Sequence, residues 1–178
     1  LFLVKKYDES LTEIQALEAE GVKNIVLVRL KAYDLTEKAD FVAAEATMKA
    51  YLAEQPEAKV ISLDYEYLGK IYQGLVPKPV PPTPPAPGAA ATPPQVTAMT
   101  MNYDSLAAEM YLKAARMDRS KGYLFADAAK AYSKAKLFDM AIAAMREKIA
   151  QGKPEANDYY FLGDAANKGK RWLTADSA

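Results

Sequence analysis

Apolar residues along this chain recur at helical spacing, with small and large side chains in a fixed order, and not at the two-residue spacing of strands. A small residue followed four positions later by a large one occurs at Ala44 and Met48, at Ala107 and Tyr111, and at Ala141 and Met145. Residues four apart lie on one face of a helix, so each pair forms a stripe that a neighbouring helix can meet. The stripes share a register. Ala107 to Ala141 is 34 residues, Ala141 to Ala175 is 34 again, and stepping back 34 from Ala44 reaches Ser10, with Ile14 four positions on. A second set of small residues, Ala32, Ala129 and Gly163, stands 12 residues before Ala44, Ala141 and Ala175. The pattern predicts an all-α chain built from repeated pairs of helices.

One interruption breaks the pattern. The stretch DYEYLGKIYQGL, Asp64 to Leu75, reads as an amphipathic helix, yet VPKPVPPTPPAPGAAATPP follows it directly. Proline lacks the amide hydrogen and clashes with the preceding turn, so this tract cannot continue the helix. The 12-residue step from Gly69 lands on Pro81, and the next small–large pair, Ala107 and Tyr111, arrives 26 residues late. The tract is therefore expected to be an insertion, residues 76–101, between the two helices of one repeat, with MNYDSLAAEMYLKAARMD as the delayed second helix. Lengthening a flexible turn about tenfold costs only ~2 kcal/mol of closure entropy. Nine of the 11 prolines lie between Pro77 and Pro94, which favours polyproline II. Lys78, Pro81 and Pro84 have the basic-x-x-P-x-x-P spacing of a proline-rich ligand. The alternative is a spacer or a brace against the chain's own helices.

The register resembles that of the tetratricopeptide repeat (TPR), a 34-residue helix-turn-helix with the pattern W-x2-L-G-x2-Y, then A-x3-F, then P. Tyr65, Leu68, Gly69 and Tyr72 match the first part, as do Tyr159, Leu162 and Gly163 with Ala166 in place of tyrosine. Phe125, Ala128, Ala129 and Tyr132 form a weaker copy; Pro56 closes the first full unit, where Arg119 and Lys153 stand in the others. The resemblance implies a single TPR-like array over 1–178. It runs as a second helix of a partial repeat at 7–20, a repeat at 25–58, a repeat at 62–120 interrupted by 76–101, a repeat at 122–155 and a truncated repeat from 156. Gly69 and Gly163 are expected to be packing glycines, each costing about 1 kcal/mol of helix propensity against alanine. The opening LFLV reads as a fragment edge, and the end at Ala178 points to a longer natural protein.

Composition narrows the chemistry. Without cysteine or histidine, thiol nucleophiles, imidazole bases and nearly all zinc sites are excluded, and no cofactor or metal is expected. The 23 basic and 23 acidic residues balance, so no net field draws the chain to nucleic acid. No stretch reaches the roughly 20 apolar residues of a membrane span. Absence of cysteine fits any compartment; the general look of the C-terminal repeat suggests a bacterial periplasmic or envelope protein, with the cytoplasm as the alternative.

By resemblance, function lies on the concave face of the first helices, where the family holds a peptide. Transferred position by position, that face comprises Arg29 and Tyr33; Glu66, Lys70 and Gln73; Lys130 and Lys134; and Tyr160, Asp164, Asn167 and Lys168. Cations predominate, which implies an acidic protein or peptide partner; ordinary solvated helix faces are the alternative. Tyr33 and Tyr67 stand where a chaperone-tail clamp has asparagine, and Asp127 where it has a cation, so such a clamp is not expected. The rival readings are a permanent structural subunit of a larger assembly and, more remotely, an enzyme. Pairs such as Asp64 and Glu66 are two apart on a helix and cannot share a substrate.

Overall fold

Most of the small residues that set the register are buried. In the computed structural model, which describes residues 2–77, 102–152 and 154–170, Ala32, Ala44, Ala107 and Ala141 are fully enclosed, with Ser10 and Ala129 nearly so. Their large partners Ile14, Met48, Tyr111 and Met145 are buried beside them. Eight α-helices carry these residues: α1 (Tyr7–Ala19), α2 (Ile25–Glu37), α3 (Phe41–Glu54), α4 (Ser62–Leu75), α5 (Tyr103–Met117), α6 (Leu124–Lys134), α7 (Phe138–Ala150) and α8 (Ala156–Lys168). No strand occurs among the described residues. Each helix packs on its sequence neighbours, including α4 on α5 across the proline-rich tract. One core runs continuously from Ala32 to Ala166, as expected of a solenoid whose units cannot bury their faces alone.

The turns are set by backbone geometry that repeats with the sequence. Ala39, after α2, and Lys136, after α6, have φ of 60° and 61°, and Lys5 and Lys170 both have 57°. Asp40 N–H donates to Leu35 O at 3.0 Å and Ala39 N–H to Thr36 O at 2.9 Å, which closes α2 in a Schellman motif. Leu137 to Tyr132 and Lys136 to Ser133 do the same for α6, at 2.8 and 3.1 Å. Lys5 to Ala39 and Lys136 to Lys170 are each 34 residues, so these left-handed residues occupy one place in the repeat. The step from Ala32 to Gly69 is longer, 37 residues, and the one-turn 3-10 helix Glu57–Lys59 takes up the excess.

Glycine permits the closest contact. A methyl group placed on Gly69 would lie 2.5 Å from Cε1 of the Tyr111 ring, so α4 and α5 approach at a distance only glycine allows. Gly74 makes a similar approach that the sequence reading passed over: a Cβ there would overlap the Phe41 ring at 2.4 Å. Gly163 differs from expectation, since nothing described lies within 4 Å of an added Cβ. Ala175, Lys153, and Lys78, Pro81 and Pro84 of the tract fall outside the described residues.

Successive units are joined by a slot that is polar at two junctions and apolar at the third. At the start of α4, the buried Asp64 carboxylate accepts from Ile61 N–H at 2.8 Å, capping the helix. It also takes Tyr33 Oη–H at 2.6 Å and pairs with Arg29, Nε to Oδ1 3.0 Å. Asp158 repeats the role in α8, accepting from Glu155 N–H at 2.9 Å and pairing with Lys148 of α7. The residue of α6 in the same place is Leu124, a buried apolar side chain of the core. Burial alone would raise the Asp158 carboxyl, but the Glu155 amide and Lys148 together hold it below the usual aspartate range.

Two outcomes follow. Gly69→Ala gains about 1 kcal/mol of helix propensity yet destabilises the protein by ~1–3 kcal/mol through overpacking against Tyr111; urea unfolding measures it, and a shorter residue at 111 restores the loss. Asp158 has a depressed folded pKa, so its contribution is present above the unfolded value and disappears as pH falls through the folded one. Asp158→Asn should therefore cost ~1–2 kcal/mol at neutral pH, with the gap to wild type closing below about pH 4 in pH-dependent unfolding.

Candidate functional site

The nominated surface residues fall at equivalent places in the repeat. Arg29, Glu66 and Tyr160 share one; Tyr33, Lys70, Lys130 and Asp164 a second; Gln73 and Asn167 a third; Lys134 and Lys168 a fourth, where α2 has Glu37 and α4 has Gly74. These positions lie on α2, α4, α6 and α8. Their environments differ sharply between the two ends of the chain.

At the α2–α4 end the side chains are consumed by the fold. Arg29 was expected to present a cation to a ligand. Its guanidinium instead holds Asp64, donates to Lys59 O at 3.0 Å and to the Tyr51 hydroxyl, and lies over the Tyr51 ring. A buried carboxylate needs a cation, and Arg29 supplies it. Tyr33 is buried, stacked on Tyr67 with centroids 4.1 Å apart. Burial, and then the bond to Asp64, push the Tyr33 hydroxyl far above the ordinary tyrosine range. Burial and Glu37 do the same for Tyr67, so both hydroxyls stay protonated as donors. The Phe2 ring covers this pair, 5.8 Å from Tyr33 and 6.2 Å from Tyr67.

The middle of the surface is half engaged. Glu66 is buried and binds Lys121 at 2.7 Å, with Lys70 at 3.4 Å. Lys70 stands 4.5 Å above the Tyr67 ring and 4.0 Å from Glu37. Gln73 accepts from the Tyr111 hydroxyl at 3.2 Å. These contacts bridge α4 to its neighbours, while Lys70 remains part-exposed.

At the α6–α8 end the side chains converge on open space. Lys130, Lys134, Asp164 and Lys168 line one cleft of about 430 Å³, together with Ala129, Ser133, Lys136, Phe138 and Phe161. Lys130 pairs with Asp127 at 3.3 Å and sits 5.3 Å over the Phe161 ring. Lys168 pairs with Asp164 at 2.7 Å. Lys134 and Lys136 have no ion-pair partner among the described residues. Tyr160, 68% exposed, and Asn167 lie on the outer side of α8. Sequence reasoning missed Lys136, Phe138 and Phe161. Two signals were available: Phe138 repeats the place of Phe41, and Lys136 the left-handed turn place of Ala39.

Among the described residues no cluster of acidic side chains is placed to hold a metal ion. No described helix is long and apolar enough to cross a membrane.

No family model matches the chain, and no curated protein sequence matches it. A solved structure does: the C-terminal part of a TPR repeat-containing protein from Cytophaga hutchinsonii superposes with a TM-score of 0.69 at 22% identity, over 99% of this chain. The chain spans 58% of the length of that solved chain. With the buried register residues and the repeated helix pairs, the match identifies the fold as an all-α tetratricopeptide-type helical solenoid.

Proposed function

We propose that this chain is a non-catalytic protein-interaction scaffold that holds an acidic peptide segment of a partner along the concave face of its first helices. The observation that carries the reading is the run of surface lysines on successive first helices, Lys70, Lys130, Lys134 and Lys168. Their internal partners are weak competitors. Lys130 with Asp127 and Lys168 with Asp164 are pairs within one helix, each worth about 0.3–0.5 kcal/mol, so a ligand carboxylate can replace or share them. The TPR-type fold supports a protein partner over a small substrate.

In this reading the array is a single body, with the boundaries expected from the register and with residues 76–101 as an excursion from one repeat. The left-handed residue that ends the first helix of the other units, at Lys5, Ala39, Lys136 and Lys170, would fall at Val76 in this one, where the excursion starts. Permanent incorporation into a larger assembly is a second reading, favoured by the exposed apolar side chains Leu3, Val42 and Tyr160.

A fluorescently labelled glutamate-rich dodecapeptide tests the reading by anisotropy. It should bind, with affinity falling as salt rises. The combined change Lys70→Gln, Lys130→Glu and Lys134→Glu should weaken binding at least about tenfold through lost attraction and like-charge repulsion, with cooperative unfolding retained. Absence of binding, or unchanged affinity in the triple variant, would remove the groove from the account.

A further inference from the structure

The same place in the repeat occurs twice with different contents. Between the α2–α3 turn and the end of α4, a depression of about 450 Å³ is lined by Thr36, Glu37, Ala39, Phe41, Lys70, Gln73 and Gly74. Between the α6–α7 turn and α8, the equivalent cleft of about 430 Å³ carries the register counterparts Ser133, Lys134, Lys136, Phe138, Asp164 and Lys168, with Ala129, Lys130 and Phe161 added. The size is alike and the chemistry is not.

In the first copy less apolar surface is open: Tyr67 is buried, and Phe41, half-buried like Phe138, is the aromatic ring that remains in the lining. The Phe41 ring is pressed into the space left by Gly74, and Tyr67 is sealed under Tyr33 by stacking at 4.1 Å. One acid and one lysine line it, Glu37 and Lys70, 4.0 Å apart. In the second copy Lys168 replaces the glycine that admitted Phe41. The counterpart of Tyr33 is Lys130, whose ammonium stands 5.3 Å above the Phe161 ring without sealing it. Phe138 and Phe161 are both half-buried and both face the cleft. Four lysines and a single aspartate line it. An apolar floor under a cationic rim is the complement of an aromatic side chain with carboxylates beside it: the ring buries on Phe138 and Phe161, and the acids reach Lys134, Lys136 and Lys168.

We propose that the cleft between the α6–α7 turn and α8 is the anchoring subsite of the binding surface, and that it takes an aromatic residue flanked by aspartate or glutamate in a partner protein. This rests on the scaffold reading above and adds to it the residue that fixes the register of the bound segment.

The test uses the full chain and three labelled peptides: a segment with phenylalanine between two aspartates on each side, the same with alanine for phenylalanine, and the same with asparagine for every aspartate. The phenylalanine–aspartate peptide should bind at least about tenfold more tightly than either of the others, because each lacks one half of the complement. Lys136→Glu and Lys168→Glu should each remove most of that preference; both side chains are exposed, so an unchanged melting temperature verifies folding. Lys136→Gly gives an independent readout. It relieves a non-glycine residue at φ 61° and should raise the melting temperature while weakening binding, a combination that a structural role for Lys136 does not produce. If acidic peptides bind but phenylalanine confers no advantage, or if Lys136→Glu leaves the preference intact, the subsite is refuted while the groove reading stands. If no acidic peptide binds, both fall. Light scattering that shows a dimer broken by Lys136→Glu would assign the cleft to a second copy. An Overhauser contact between Trp172 and Phe161 in the free chain would assign it to the chain's own last residues. Either result overturns the proposal.

Discussion

The approach of α4 to α5 at Gly69 is the contact on which the rest of the structure depends. These two helices are separated by residues 76–102, yet Tyr111 lies where any side chain larger than hydrogen on residue 69 would have to be. The Tyr111 hydroxyl then donates to Gln73 one turn further along α4, at 3.2 Å. Glycine is a poor helix former, and its cost is offset only by a contact of this closeness. Through that pair the units before the proline-rich tract and those after it share one core, running from Ala32 to Ala166.

The junctions explain why the two ends of the surface differ in character. Where α4 follows α3, a buried carboxylate at Asp64 draws in Arg29, Tyr33 and Tyr51, and the first helices lose their polar side chains to the interior. Where α8 follows α7, the corresponding carboxylate at Asp158 is matched by Lys148 from the second helix of the preceding unit. The first-helix positions of α6 and α8 are then left over, and Lys130, Lys134 and Lys168 remain at the surface around an apolar floor. A repeat can thus spend equivalent positions on internal contacts in one unit and leave them at the surface in another. The choice turns on which neighbour satisfies one buried acid.

Much of the fold was legible in the sequence because its determinants are steric and periodic. Ala32, Ala44, Ala107 and Ala141 are small for the reason the spacing suggested, and all four are fully buried. The site was less legible because its determinants are partner choices between helices. Arg29 and a surface arginine look alike in sequence, and only the placement of Asp64, 35 residues on, shows that its charge is taken. Asp64 stands in the first turn of its helix with nothing in its sequence neighbourhood to mark it as interior, yet it is fully buried. Phe138 opens a helix just after a turn, so no amphipathic stripe points to it, and only the assembled cleft brings it beside Phe161 and Lys168. Gly163 was expected to pack closely and meets nothing described within 4 Å of an added Cβ.

The central claim is that the helices on either side of the proline-rich tract form one body through the contact of α4 with α5. Cutting the chain tests it most directly. A protease site is introduced between Gly88 and Ala91, and native mass spectrometry with gel filtration follows the two pieces after cleavage. The account predicts that they stay together as one particle with unchanged helical dichroism and a single unfolding transition. Pieces that separate on cleavage, each keeping its own helical structure, would contradict it and make the tract a linker between independent domains.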